Sequence, residues 1–438
     1  MNVHDSERMA DLLLAQGHVE VATPDDADIV VLNTCHIRER ASEKLFSDIG
    51  RLEKRARTRS VEASRPLIVA AGCVAQAEGA EIARRAPAVD VVVGPLAYHR
   101  LPALIDAARS RASGPPSGPN RAIIDTDMPA EPKFAQLPAR RHQGASAFLT
   151  IQEGCDKFCT FCVVPYTRGP EVSRSADELL AEARALVAAG AVEITLIGQN
   201  VNAWRAGVLV FADLLRAVAA IPGLARLRYT TSHPRDMDEA LIRAHAELPA
   251  LMPYLHLPVQ SGSTRILKAM NRAHTRASYL ETLRQLRAAR PDIALSGDFI
   301  VGFPGETEAD FEDTLSIVHE VGYAQAYCFK YSVRPGTPAA DMADQLPEPV
   351  KEARLARLLE AVAACSLAFN QQTVGRHTEI LIERKGRKPG QMIGKTPWLQ
   401  SAVLESEGAK LGDMVRVEII EAQANCVMVR PVVQTQEA

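Results

Sequence analysis

Three cysteines, Cys155, Cys159 and Cys162, stand within GCDKFCTFCVVPYTRG, directly after the strand-like run AFLTIQ. Three thiolates bound to a four-iron, four-sulfur cluster leave one iron with no protein ligand. That open iron can chelate the amino and carboxylate groups of S-adenosylmethionine (SAM). Electron transfer into the sulfonium then breaks a carbon–sulfur bond and yields a 5′-deoxyadenosyl radical. The cofactors supply this chemistry, and the protein orients them and excludes water. Structural zinc wants four closed ligands, and the segment offers neither a fourth Cys nor a His close downstream. A disulfide would strand one thiol. Cys155, Cys159 and Cys162 are therefore the expected catalytic cluster ligands.

Two further cysteines end strand-like runs near the amino terminus: Cys35 after ADIVVLNT and Cys73 after PLIVAAG. In open α/β sheets ligands gather outside the carboxyl ends of strands, so both stand where a site belongs, with ordinary buried thiols as the alternative. Cys328, Cys365 and Cys426 read as core residues, since free Cys packs as a small hydrophobe.

The elements that would carry these residues fall into three regions. Residues 1–108 alternate helical and apolar β-branched segments, the pattern of a buried parallel sheet under helices. DSERMADLLLAQG is its first helix, with Asp5 or Ser6 as cap and Gly17 at its end. Residues 109–144, rich in Pro, Ser and Gly from Arg111 onward, read as a linker. From 145 to 374 a β-then-α unit recurs six times and is followed by a long helix. Six units suggest an incomplete (β/α)6 barrel, with function on the loops after its strands. Residues 375–438 look all-β, and a small barrel of this size often binds nucleic acid.

With 50 basic and 53 acidic side chains the formal charge is −3, so nucleic-acid contact must come from local patches. Arg384, Lys385, Arg387 and Lys388 form one such patch, suited to phosphates or simply a solvated charge run. No apolar run is long enough to cross a bilayer and the amino terminus lacks a signal-peptide core, so a cytoplasmic location is expected.

The CxxxCxxC on the first strand of a partial barrel resembles the radical SAM superfamily. More narrowly, LNTCHIRERASEK, GCVAQAEG, GQNVNAW, TTSHP, HLPVQSGS, DFIVGFPGET and RPGTPAADM, in that order, resemble the methylthiotransferases over nearly the whole chain. The resemblance implies an N-terminal methylthiotransferase α/β domain, a radical SAM core and a TRAM-like RNA-binding barrel. It implies SAM, two [4Fe-4S] clusters and a low-potential electron donor of flavodoxin or ferredoxin type, in a monomer. The implied reaction transfers a methylthio group to C2 of N6-(dimethylallyl)adenosine at position 37 of tRNA. The alternatives are threonylcarbamoyl-adenosine in tRNA, a ribosomal-protein aspartate, or a non-catalytic iron–sulfur RNA-binding protein or redox sensor.

The resemblance also assigns residues. Gly198, Gln199 and Asn200 would hold the methionine amino group of SAM, with a plain turn as the alternative. The loops carrying Ser261, Asp298 and GFPG would line ribose and adenine, though GFPG is equally a helix-entry turn. Arg168 and Arg174 could bind a carboxylate or phosphate through the guanidinium fork, or make surface ion pairs. His233 and His256 read as hydrogen-bonded structural residues more readily than proton donors. Trp398 could stack on a base, though a lone Trp usually packs. Cys35 and Cys73 match two ligands of an auxiliary cluster. The family's first such ligand precedes the Met-Asn that opens the first helix, whereas this sequence starts at Met1-Asn2. An upstream natural start is the expectation, and loss of the ligand the alternative.

Overall fold

The computed structural model describes residues 1–36, 40–58, 65–112, 122–129, 133–142, 144–406 and 408–432. They divide into two compact units. One is Met1–Arg141 with Glu153–Asp156 and Val163–Val172; the other is His142–Gln152 with Lys157–Cys162 and Ser173–Ala438.

In the first unit four strands, β1 (Ile29–Asn33), β2 (Leu67–Ala71), β3 (Val89–Val93) and β4 (Ile123–Asp125), pair in sequence order and all in parallel. The apolar run of β3 is buried throughout, as a strand covered on both faces should be. Helices α1 (Asn2–Ala15), α2 (Arg40–Thr58), α3 (Cys73–Arg85) and α4 (Leu101–Ala112) accompany it. Met9 and Leu12 of α1 pack with Val69, Val91 and Leu101 in one core layer. Two expectations change here. Helix α1 begins at Asn2 with no side-chain cap, and Asp5 lies inside it, buried. The expected linker is in part structure: β4 and the turn Lys133–Gln136 belong to this unit, while 113–121, 130–132 and 143 lie outside the described residues.

The second unit holds six parallel strands in two three-stranded sheets. Ser146–Thr150, Glu193–Ile197 and Arg226–Tyr229 form one; Tyr254–His256, Ala294–Val301 and Gln325–Lys330 form the other. A single bridge from Leu227 to Leu251 links the two sequences of strands. Helices between the strands bury Leu179, Leu215, Leu241, Leu283 and Phe311 against them in one core. This is the incomplete barrel expected. Beyond the helix Glu348–Gln371, five strands from His377 to Pro431 close a small barrel. Two of them, Gln391–Lys395 and Ser401–Glu405, have no strong β run in the sequence; the barrel's interior, with Ala402 and Leu404 buried, makes them strands. Arg226 and Arg228 of the third strand donate to the carbonyls of Glu379, Lys395, Thr396 and Pro397, so the small barrel is stitched to the partial one.

The three remaining cysteines are not fully buried. Cys328 and Cys365 are half-buried against the core, and Cys426 sits on a turn between strands with its Sγ 3.5 Å from Gln423 Oε1. Trp398 is a packing residue: it is buried and its indole donates to the Asp292 carbonyl at 2.9 Å.

His245, on the helix Glu239–Glu247, is fully buried with Nε2 2.7 Å from the Tyr229 hydroxyl. Burial, then Arg290, pushes its pKa down to about 4. The unfolded chain therefore takes up a proton near pH 6.5 that the folded chain refuses. Stability contributed by neutral His245 is complete above that pH and falls as pH drops toward 4, by about 3 kcal/mol in total. Thermal unfolding should show a lower midpoint at pH 5 than at pH 7, and His245→Gln should flatten that difference. An unchanged pH dependence in the variant would remove His245 as its source.

Candidate iron–sulfur and SAM site

The site is built from the carboxyl ends of strands, where each chain segment turns from sheet to loop. In the second unit the segment Lys157–Cys162 is anchored at both faces. Thr160 donates its amide to Met270 and its hydroxyl to Ala269, Asn271 donates to the Phe158 carbonyl, and Lys157 pairs with Asp236 at 2.8 Å. Cys159 is buried, and its Sγ lies 3.6 Å from Nη1 of Arg272. The Cys162 amide donates to the Cys159 carbonyl at 2.9 Å. Cys155 belongs to the first unit, where its amide donates to Gly169 at 3.1 Å. None of the eight cysteines is in a disulfide.

Backbone strain concentrates on the same face of the partial barrel. Thr231 and Gln260, at the ends of the third and fourth strands, have φ of 72° and 77°, and Phe158 and Asn271 have 46° and 55°. Non-glycine residues persist there only where the surroundings dictate it, most often at functional sites. Four buried residues beside them leave polar atoms without a partner: Ser232 Oγ, His233 Nε2, Gln260 Oε1 and Arg272 Nε. Buried polar atoms are ordinarily satisfied, so this cluster is a place for a polar ligand. The donor set fits SAM.

The expected SAM residues are distributed unevenly. Gly198 is required by a close approach, but the approach is to protein: a Cβ there would lie 2.8 Å from the Gln152 carbonyl oxygen. The Gln199 and Asn200 amides both donate to Gln152 Oε1 at 3.0 Å, and Asn200 Nδ2 donates to Asp236. Ser261 is fully buried and accepts from the Ser263 amide, so it shapes the turn into the next helix. Asp298 is half-buried with Oδ1 3.5 Å from His256 Nε2, while His256 Nδ1 meets Ser296. GFPG is a helix-entry turn, its Gly302 amide held by Glu306 and the helix capped by Thr307. Arg174 donates to the Thr150 carbonyl and pairs with Glu182 at 2.8 Å.

Arg168 is neither a surface ion pair nor a ligand arm. Within the first unit it is buried, with Nη2 2.6 Å from Asp5, Nη1 3.2 Å from Glu153 and Nε 3.4 Å from Cys73 Sγ. Lys133 completes the group at 2.7 Å from Glu153. No sequence pattern announces Asp5–Arg168, since the partners are 163 residues apart.

Cys35 and Cys73 follow the carboxyl ends of the adjacent strands β1 and β2. The Val74 amide donates to the Thr34 carbonyl, and the backbone nitrogen of Met1 feels the charge of both thiols. Gly72 makes this possible: its φ is 92°, and a Cβ would fall 2.3 Å from Asn33 Oδ1. Among the described residues no set of three or more His, Cys, Asp or Glu is gathered as for a single metal ion. A four-iron cluster instead spreads its thiolates around a cube.

A parallel partial barrel with a three-cysteine loop after its first strand is the architecture of SAM-cleaving iron–sulfur enzymes, and the comparisons agree. The family model described as Radical SAM superfamily matches residues 149–318, the TRAM domain matches 371–427, and Uncharacterized protein family UPF0004 matches 1–94. A solved structure of the radical SAM methyltransferase TsrM from Kitasatospora setae shares the fold, with a TM-score of 0.54 at 16% identity, over 76% of this chain and 68% of that one. Two proteins named tRNA-2-methylthio-N(6)-dimethylallyladenosine synthase are far more similar. That of Novosphingobium aromaticivorans is 59% identical over 98% of this chain and 94% of its own length. That of Erythrobacter litoralis is 60% identical over 97% and 93%. The chain belongs to the tRNA-2-methylthio-N(6)-dimethylallyladenosine synthase family of radical SAM enzymes. Its cofactors are accordingly an iron–sulfur cluster and SAM. No helix among the described residues is long and apolar enough to cross a membrane.

Proposed function

We propose that this chain transfers a methylthio group to C2 of N6-(dimethylallyl)adenosine at position 37 of tRNA, with Cys155, Cys159 and Cys162 as the ligands of the SAM-cleaving cluster. The observation that carries the site assignment is the unpartnered, buried polar group around Cys159, which suits SAM. A cluster bound there supplies the electron that cleaves SAM to a 5′-deoxyadenosyl radical. The chain's own part is to anchor the loop through Thr160, Lys157 and Asn271, to hold polar groups ready through Asn202 and Gln152, and to exclude water.

The domain assignments follow from this. Residues 1–108 carry Cys35 and Cys73 as thiolates for an auxiliary cluster, and 375–438 bind RNA. Cys35 and Cys73 supply two of the three thiolates that the family's auxiliary cluster takes. In the small barrel, Lys385, Arg387, Lys388 and Lys410 line a cavity of about 730 Å³, which gives phosphates a basic seat. A low-potential donor of flavodoxin or ferredoxin type and a cytoplasmic, monomeric chain complete the proposal.

The test is a strain lacking its own methylthiotransferase for this nucleoside. Expression of this chain should restore the methylthio nucleoside in digested tRNA, read by mass spectrometry. Restoration on threonylcarbamoyl-adenosine, or a mass gain on a ribosomal protein in its place, would overturn the assignment.

A further inference from the structure

Arg168 is buried in the first unit, and every nitrogen of its guanidinium is engaged. Nη2 donates to Asp5 at 2.6 Å, Nη1 to Glu153 at 3.2 Å and Nε to the sulfur of Cys73 at 3.4 Å. The first two contacts settle the charges, because Asp5 and Glu153 face two cations. Lys133 is the second, 3.8 Å from Asp5 and 2.7 Å from Glu153. The third contact is not needed for that balance. A lysine could pair with the carboxylates, but three acceptors in three directions call for the planar fork of an arginine.

The neighbours of this fork give the sulfur contact its meaning. Arg168 ends the short helix Val164–Arg168, and the next residue, Gly169, accepts the Cys155 amide at 3.1 Å. Glu153, its ion-pair partner, stands just before Gly154 and Cys155 in the same segment. Gly154 admits no side chain, since a Cβ there would lie 1.8 Å from the Pro170 carbonyl oxygen. The backbone that carries Cys155 is thus fixed to the Arg168 segment on both sides, and Arg168 reaches from it to Cys73. Cys73 is itself buried at the start of α3, on the glycine turn that follows β2.

We propose that Arg168 is a positioning residue for the auxiliary cluster: its Nε–H holds the Cys73 sulfur in place and raises the potential of the iron bound there. A hydrogen bond to a ligand sulfur stabilises the reduced, more negative form, so the reduction potential moves up. The same side chain steadies the Cys155 segment through Glu153, so one guanidinium sets the place of a ligand to each cluster. A purely structural ion pair would use the carboxylates and ignore the sulfur. Two sulfurs after adjacent strands, one of them receiving a cationic N–H, suit an iron–sulfur cluster. The assignment rests on the reading that Cys35 and Cys73 hold one.

The test uses the full chain after anaerobic reconstitution, in the Cys155→Ala background so that the auxiliary cluster alone gives a signal. Its midpoint is read by electron paramagnetic resonance along a redox titration. Arg168→Lys keeps a cation for Asp5 and Glu153 and loses the Nε–H. The midpoint should therefore shift to lower potential with the iron content unchanged, whereas a role confined to the ion pairs predicts no shift. Arginine labelled with the heavy nitrogen isotope should add a nitrogen coupling to the same signal, and Arg168→Lys should abolish it. An unshifted midpoint, or a signal without arginine coupling, would overturn the proposal. If Arg168→Lys does not load iron, the labelled chain with Arg168 intact decides alone. A Cys155→Ala chain that holds no iron would instead defeat the reading that Cys35 and Cys73 carry a cluster, and the proposal with it.

Discussion

Cys159→Ala is expected to lower the iron content by about four atoms per chain and to abolish formation of 5′-deoxyadenosine from SAM. Cys159 is buried, its loop is tied down by Thr160 and Asn271, and its sulfur lies beside Arg272. The substitution removes one small side chain and no hydrogen bond on which the loop depends. Its cost to folding should stay near 1 kcal/mol, about one buried methylene equivalent. Chemistry is lost while the fold remains. Cys365→Ala, on the helix Glu348–Gln371, should change neither quantity. Iron analysis and chromatography of the nucleoside products check both, and a Cys159→Ala protein that still cleaves SAM would remove this residue from the cluster.

Arg168→Met is expected to cost about 3–5 kcal/mol of stability, the penalty for leaving buried carboxylates without their cation. Asp5 and Glu153 would then lose one of the two cations, Arg168 and Lys133, that pair with both of them. Burial drives the Asp5 carboxyl up, but Arg168 and then Lys133 outweigh it and hold it down to about 2. Its stabilising contribution is therefore complete above pH 4 and lost as pH falls toward 2. Arg168→Met should raise that pKa and move the acid loss to higher pH. Adding Asp5→Asn to Arg168→Met should recover part of the stability, because it removes one stranded charge. Thermal unfolding of the single and double variants decides it. A double variant no more stable than Arg168→Met would show that the charge pairing is not what the arginine contributes.

Much of the architecture was written locally. β-branched runs such as VDVVV and ITLI state their burial outright, and the six β-then-α units announce the partial barrel. The cysteine spacing carries its chemistry in eight residues. Strands Gln391–Lys395 and Ser401–Glu405 were not legible, because their strand character comes from closing a barrel and not from propensity. β4 was hidden for the same reason: three residues in a proline-rich stretch become a strand only because β3 offers an edge. The site shows the same division. Cysteines can be read from spacing, whereas Arg272 sits in MNRAHT, a turn like many others. Its meaning comes from what surrounds it, the Cys159 sulfur and the Pro258 carbonyl. Asp5 looks like a cap in sequence and becomes an ion-pair partner only through Arg168.

The most direct test of the central claim is one reaction. The reconstituted chain, a chemical reductant, inorganic sulfide as the sulfur source and SAM are combined with tRNA carrying N6-(dimethylallyl)adenosine, and the digested nucleosides are weighed. The account predicts 5′-deoxyadenosine together with the C2-methylthio nucleoside, and neither from the Cys159→Ala chain. A methylthio product formed equally without Cys159, or SAM left intact by an iron-loaded wild-type chain, would contradict it.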